Sequence, residues 1–266
     1  MKLPTLRGGG SKGVPGVPPQ AAEVGSSTHA GKVRPKNEDY LLFEVPDDPA
    51  AAAARGSLFL VADGVGGLGG GAIASAEAAH TVLQDYYLDR QGDPGRALRR
   101  AIQRANLHVY NTRVGHPDLS GMQTTMSALV VCEGRYWIGH VGDSKVFMLR
   151  RGTLRQLTRD HTIVEEMRRL GLVDAGGAGR HRHRHLLTRT VGGDPLLAVD
   201  LVRGQCETGD CFILATDGIF EHLTVEDVRD IFTKSAPAEA AAACVAEANR
   251  RGGFDNLTVL GVRLTT

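Results

Sequence analysis

Apolar runs of strand length recur along the chain, and three of them end in the same way. Leu58-Phe59-Leu60-Val61-Ala62 runs into Asp63-Gly64-Val65-Gly66-Gly67, and Phe212-Ile213-Leu214-Ala215-Thr216 runs into Asp217-Gly218. A third run, Trp137-Ile138-Gly139-His140-Val141, reaches Gly142-Asp143-Ser144, with the glycine ahead of the aspartate. A carboxylate at the end of a buried strand is costly unless something cationic meets it. Three such strands therefore predict one shared acidic site at the rim of a sheet. The glycines are expected to turn the backbone sharply and to bring carbonyl groups close to whatever sits there.

The remaining pattern fills in around these runs. A first strand is expected from Val24, then a loop over 31–39 that carries Arg34, Glu38 and Asp39, then a strand over 40–45 and a loop over 46–57. Helical composition marks 72–88. A second helix is expected over 94–114, with Asp93 before Pro94 as a start signal and Leu98, Ala101, Ile102, Ala105 and Val109 on one apolar face. The arginines beside that face (Arg96, Arg99, Arg100, Arg104) read as its solvated side. Four short β-type runs follow over 124–132, 135–141, 145–149 and 153–157. Glu-Gly, Gly-Asp-Ser and Arg-Gly turns separate them, predicting an antiparallel meander. A helix over 162–170 closes at Gly171, and an irregular Gly-, Arg- and His-rich segment covers 174–185. Two strands around Asp210, helices over 225–232 and 237–249 and a strand over 257–264 complete the chain. Blocks of strands alternating with helix pairs predict an α+β layered fold with antiparallel sheets and exclude a parallel βαβ series.

Composition narrows the function classes. At 266 residues the chain is long enough for a substantial core; no interior linker breaks it, so one domain over 24–266 is expected behind a flexible Gly- and Pro-rich leader over 1–23. The 31 basic and 30 acidic side chains nearly balance, which argues against nucleic acid or an anionic membrane as partner. Cys132, Cys206, Cys211 and Cys244 show no metal-binding spacing and read as core residues in a reducing cytosol. No run approaches the roughly 18 apolar residues that span a bilayer, and no secretory signal is recognisable, so a cytoplasmic location is expected.

Asp63, Asp217 and Asp255 each flank a β-type run and each neighbours Gly or Asn. If they converge, their repulsion calls for a counter-ion. Oxygen-only ligation favours Mg²⁺ or Mn²⁺ over zinc, because no Cys or His stands beside these aspartates. Three carboxylates suit two such ions, which lower the pKa of a shared water and stabilise a phosphoryl group during in-line displacement. Arg34 is the candidate guanidinium for gripping phosphate oxygens.

In this order, Arg34-Pro35-Lys36-Asn37-Glu38-Asp39, Val61 through Gly67, Gly142-Asp143-Ser144, Leu157-Thr158-Arg159-Asp160-His161-Thr162, Leu187-Thr188-Arg189, Ala215-Thr216-Asp217-Gly218 and Asp255-Asn256-Leu257-Thr258 resemble the bacterial branch of the metal-dependent protein phosphatases, the PPM or protein phosphatase 2C family. The resemblance covers residues 26–264. It implies a four-layer α-β-β-α sandwich of two antiparallel sheets flanked by helix pairs, with the metals at one end. It also implies hydrolysis of phosphoserine and phosphothreonine on proteins, with a Ser/Thr kinase and its targets as partners. Carried onto this chain, it makes Asp63 the bridge between two core ions, with the Gly64 carbonyl, Asp217 and Asp255 completing the ligands. Asp143, with Asp217, would hold a weaker third ion, with Glu221 close to that position. Glu38 and Asp39 would hold waters around the core ions, and Arg34 would bind the substrate phosphate. Val65 stands where many eukaryotic members carry a histidine proposed as general acid. Arg180-His181-Arg182-His183-Arg184-His185 falls in the family's flap, where a transition-metal site, a substrate-gripping strand and a solvated loop are all open readings. A phosphoprotein-binding chain without turnover and a hydrolase of small phosphoesters are the rival functions.

Overall fold

The computed structural model describes residues 22–65, 70–89, 91–174 and 185–265. In chain order its elements are β1 (Ala22–His29), β2 (Asp39–Glu44), α1 (Pro49–Arg55), β3 (Ser57–Val65), α2 (Gly71–Leu88), α3 (Pro94–Gly115), β4 (Gln123–Thr124), β5 (Met126–Cys132) and β6 (Arg135–Val141). There follow β7 (Lys145–Arg150), β8 (Thr153–Gln156), α4 (Ile163–Arg169), β9 (Asp200–Gln205), β10 (Cys211–Ala215), α5 (Asp217–Phe220), α6 (Val225–Lys234), α7 (Pro237–Arg251) and β11 (Leu257–Leu264). One antiparallel sheet runs β1-β11-β10-β7-β8 and the other β2-β3-β5-β6-β9, with β4 pairing the far end of β3.

Strand alternation assigns each side chain to a layer. On β3, Phe59 and Val61 enter a core between the sheets, where Phe212 and Leu214 of β10 and Leu260 and Val262 of β11 meet them. Leu58, Leu60 and Ala62 face the other way, onto Ala74, Ala78 and Val82 of α2 and Leu98, Ile102 and Val109 of α3. Ile213 and Ala215 likewise turn outward to Phe232 of α6 and Ala240, Ala241 and Cys244 of α7. Three apolar seams thus join four layers, the α-β-β-α sandwich that the sequence implies. Small residues on α7 let it lie close against β1: a Cβ at Gly25 would stand 2.1 Å from the Ala238 nitrogen.

Two expectations are corrected. Residues 46–57 hold a helix, α1, because Asp48 caps it through Ala50 and Ala51 N–H, Pro49 opens it and five alanines propagate it. The expected meander is broken: β5 and β6 belong to one sheet, β7 and β8 to the other. The Glu133-Gly134 and Arg151-Gly152 turns, all four residues at positive φ, do close tight hairpins as read. Between β6 and β7, however, Gly142-Asp143-Ser144 carries the chain from one sheet to the other, with Gly142 at φ +106.

All four cysteines are free and buried, as expected of core residues. Burial pushes their thiols up, to about 11 for Cys132 and Cys211 and about 12 for Cys206 and Cys244. Among the described residues no helix is long and apolar enough to cross a membrane.

Phe212, fully buried between the sheets, tests the central seam. Phe212→Ala should cost about 3–5 kcal/mol of unfolding free energy, read as a lower urea midpoint at unchanged slope.

Candidate metal centre

Antiparallel pairing brings the aspartates to one end of the sandwich. Asp39 opens β2 directly opposite Asp63 near the end of β3. Asp217 follows β10, whose last residue pairs with both Lys145 and Val259, and Asp255 stands two residues before β11. Asp143 lies in the sheet-to-sheet crossover next to the same ends. Arg34, Glu38, Asp63, Asp143, Asp217 and Asp255 all line one cavity of about 1090 Å³, together with Gly64, Val65, His185 and Glu221.

Backbone contacts set this geometry more than turns do. Gly64 lies within β3, not in a turn; a Cβ there would stand 2.3 Å from the Gly71 carbonyl oxygen and 2.6 Å from that of Glu38. Gly218 is confined in the same way, 2.1 Å from the Asn256 carbonyl oxygen. The glycine after each aspartate is needed for close approach of a second backbone. Thr125, between β4 and β5, interlocks with Asp63: its N–H donates to the Asp63 carbonyl (2.8 Å) and its Oγ1 accepts from the Asp63 N–H (2.9 Å).

Several supporting residues carried no role in the sequence reading. Asn256 donates through Nδ2 to the Ala30 and Lys36 carbonyls, both at 2.9 Å, and accepts from the Glu38 N–H at 2.9 Å, fixing the loop that bears Arg34 and Glu38. Thr216 Oγ1 donates to Asp39 Oδ2 at 2.8 Å. His161 grips the crossover, its N–H on the Gly142 carbonyl (2.7 Å) and its Nδ1 accepting from the Gly142 N–H (3.1 Å). The proton of neutral His161 is then on Nε2, which faces Asp200 Oδ2 at 3.3 Å. Neighbouring His140 donates from Nε2 to the Arg159 carbonyl, and burial next to His161 holds it neutral down to about 3. These partners are remote in sequence; a local pattern gives no signal for them.

The carboxylates press on one another. Burial, with Asp217 and Asp255 nearby, pushes Asp39 up to about 7 against the hydrogen bonds from Thr258 and Thr216. Asp143 rises to about 7 through burial and Asp217, against Lys145. Burial and then Asp39 and Asp217 raise Asp63 far above the carboxylate range. At Asp217 burial pulls upward, but hydrogen bonds from His185 and Asp63 outweigh it and the group stays low. Asp63 is thus biased toward its protonated form and Asp217 toward its ionised form.

A cationic partner fits this end. The donors are oxygen throughout the aspartate cluster, and Asp39 Oδ1 is a buried carboxylate oxygen with no hydrogen-bond donor. Among the described residues no three His, Cys, Asp or Glu side chains are drawn up tightly enough to hold an ion as they stand. Arg34, expected to face phosphate, pairs through one Nη with Asp255 Oδ2 at 2.8 Å, and that contact holds its pKa up. His185 lies 3.6 Å from Asp217 Oδ2 and 3.2 Å from Glu221 Oε1, joining the end of the flap to the acidic cavity. The rest of the Arg/His run, 180–184, and Gly66-Gly67 lie outside the described residues.

Two stacked antiparallel sheets between helix layers, opening at one end onto converging carboxylates and an arginine, define the class: an α-β-β-α sandwich with an acidic centre. Residues 36–249 match the family model of protein phosphatase 2C, and the chain belongs to that family, as the sequence resemblance implies. The serine/threonine phosphatase stp of Listeria welshimeri is 32% identical over 240 residues, covering 88% of this chain and 92% of that protein. The crystal structure of the Mycobacterium tuberculosis serine/threonine phosphatase PstP/Ppp superposes with a TM-score of 0.82 at 29% identity, over 92% of this chain and 99% of that one. The catalytic domain of the phosphatase PstP in complex with two manganese ions gives 0.80 at 27% identity, over 93% and 100%.

A carboxyl whose folded pKa is raised keeps its proton in the fold after the unfolded chain has lost it. The metal-free protein therefore loses stability as pH climbs from about 4 to about 7. In EDTA, Asp39→Asn should flatten that decline and raise the melting temperature near pH 8 by about 2–4 °C. Calorimetry at about pH 5.5 and pH 8 checks this; a fall at pH 8 would contradict the repulsion.

Proposed function

We propose that the chain is a metal-dependent serine/threonine protein phosphatase that hydrolyses phosphoserine and phosphothreonine monoesters on proteins. The observation that carries the reading is the convergence of Asp63, Asp143, Asp217 and Asp255 with Arg34 on one cavity. The relatives' names support the substrate class, and the manganese complex of PstP supports the cofactor. Asp63, the Gly64 carbonyl, Asp217 and Asp255 are the groups that would hold two Mn²⁺ or Mg²⁺ ions, and Asp143 with Asp217 a weaker third. Such ions supply an acidified water and positive charge for the phosphoryl oxygens.

The chain's own residues do the rest. Arg34, half-exposed at the cavity mouth, exchanges its Asp255 contact for a bidentate grip on the phosphate. Glu38 and Asp39 hold ordered water by their carboxylates; the orphaned Asp39 Oδ1 is the acceptor in place for it. Val65 lines the cavity and has no proton to give the leaving alkoxide, so the donor is another group of the cavity or its water. The four reduced, buried cysteines support a cytoplasmic location, and a Ser/Thr kinase with its targets is the matching source of substrate.

Phosphate release from a phosphothreonine peptide should require Mn²⁺ and stop in EDTA. Asp217→Asn should lower kcat at least about 10³-fold in protein that remains folded by circular dichroism. Folded wild type that binds the phosphopeptide under every divalent ion but releases no phosphate would overturn this reading in favour of a binding protein. Faster turnover of phospho-sugars or nucleotides than of phosphopeptides would move the substrate to small phosphoesters.

Arg34→Ala should act chiefly on substrate binding. The expected result is a KM on the peptide raised about tenfold or more, with a smaller change in kcat. Steady-state kinetics at saturating Mn²⁺ checks it, and an unchanged KM would remove Arg34 from the phosphate site.

A further inference from the structure

The segment 192–198 displays one leucine and partly buries the next. Helix α3 pins this loop along its length. Asn106, itself buried, accepts from the Gly192 N–H at 2.7 Å and donates to the Asp194 and Pro195 carbonyls at 2.8 and 3.3 Å. Arg113 donates to the Gly193 carbonyl at 2.8 Å and Gln103 to that of Leu197 at 3.4 Å. Leu197 packs against the helix-side core and Val199 is buried, but Leu196 is 89% exposed. A lone exposed leucine is ordinary. This one stands on a loop held in place, and with Leu107 of α3 (45% exposed), Pro195, Leu197 and Ala198 it walls a groove of about 560 Å³ whose only polar side chain among the described residues is Gln103. Leu196, Leu197 and Ala198 also line the carboxylate cavity, so groove and cavity share a wall.

We propose that this groove docks an apolar side chain of the phosphoprotein substrate, lying a few residues from the phosphorylated one, and that Leu196 and Leu107 set this preference. The inference rests on the phosphatase reading above. Phosphate seated among Arg34 and the aspartates obliges the flanking substrate chain to cross the cavity rim. Two to four extended residues, about 7–13 Å, carry a neighbouring side chain out along that rim. A wall without charge accepts Leu, Ile, Met or Phe and disfavours Asp or Glu, which would lose hydration there without a partner.

The test compares phosphothreonine peptides that carry Leu or Asp at each position from four before to four after the phosphothreonine. Each is turned over with Mn²⁺ by wild type, Leu196→Asp and Leu196→Arg, with p-nitrophenyl phosphate as the reference substrate. Wild type should favour Leu at one or two positions by about tenfold in kcat/KM. That ratio should invert in Leu196→Arg, and Leu196→Asp should lower kcat/KM on the favoured Leu peptides about tenfold, the changes lying mainly in KM. A wild type indifferent to the substitution, or a Leu196→Arg variant that keeps its preference, would overturn the docking groove while leaving the phosphatase reading intact. So would sedimentation showing that the groove instead joins two copies, with Leu196→Asp separating them and peptide preference unchanged. A wild type inactive on every substrate, p-nitrophenyl phosphate included, would overturn the phosphatase reading and the groove's assignment with it.

Discussion

Mutual repulsion among aspartates at one end of the sandwich is the constraint around which the rest of the molecule is arranged. Two unit charges about 5 Å apart at an effective dielectric of about 20 repel by about 3 kcal/mol. Asp39, Asp63 and Asp143 each feel the repulsion of at least one other aspartate of the cluster. The protein answers in two ways. It biases Asp39, Asp63 and Asp143 toward their protonated forms, and it ties the strand ends to apolar seams that do not yield. Phe59 and Val61 immediately precede Asp63 in the central seam, and Phe212 and Leu214 do the same for Asp217. Spreading the carboxylates would therefore mean pulling the sheets apart.

Neutral groups do the fine positioning. Thr125, Thr216 and Asn256 reach the acidic end through hydrogen bonds that need no charge of their own. Gly64 and Gly218 let a second backbone come within the space a methyl would fill. Charged supports would have added to the field or cancelled part of it. Amide and hydroxyl groups fix geometry and leave the negative potential for a cation, while Arg34 pairs with Asp255 and His185 reaches Asp217.

Much of this was legible in the chain. Unbroken apolar runs over Leu58–Ala62 and Phe212–Ala215 announce buried strands, and the Asp-Gly pairs that follow announce the acidic rim. The Pro94 start of α3 and its apolar face were plain, because helix signals are local. What stayed hidden was non-local. Gly142-Asp143-Ser144 reads like any hairpin turn, and nothing in those three residues says that the next strand joins a different sheet. The roles of Asn256 and His161 depend on segments far away in sequence. Helix α1 is legible in principle: Asp48-Pro49 followed by alanines is a helix start signal, although Asp and Pro mark loops as readily.

The groove beside Leu196 illustrates a division of labour that follows from the topology. The carboxylates hang from strand ends, whereas the loop at 192–198 hangs from α3 through Asn106, Arg113 and Gln103. Helix α3 rests on the opposite side of its sheet from the central seam, through Leu98, Ala101, Ile102 and Val109. A change in Leu196 or Leu107 therefore alters what the rim accepts without disturbing the contacts that hold the aspartates. A change in Thr125 or Asn256 does the reverse. Chemistry and choice of substrate are carried by different layers of one sandwich and meet at the shared wall of Leu196, Leu197 and Ala198.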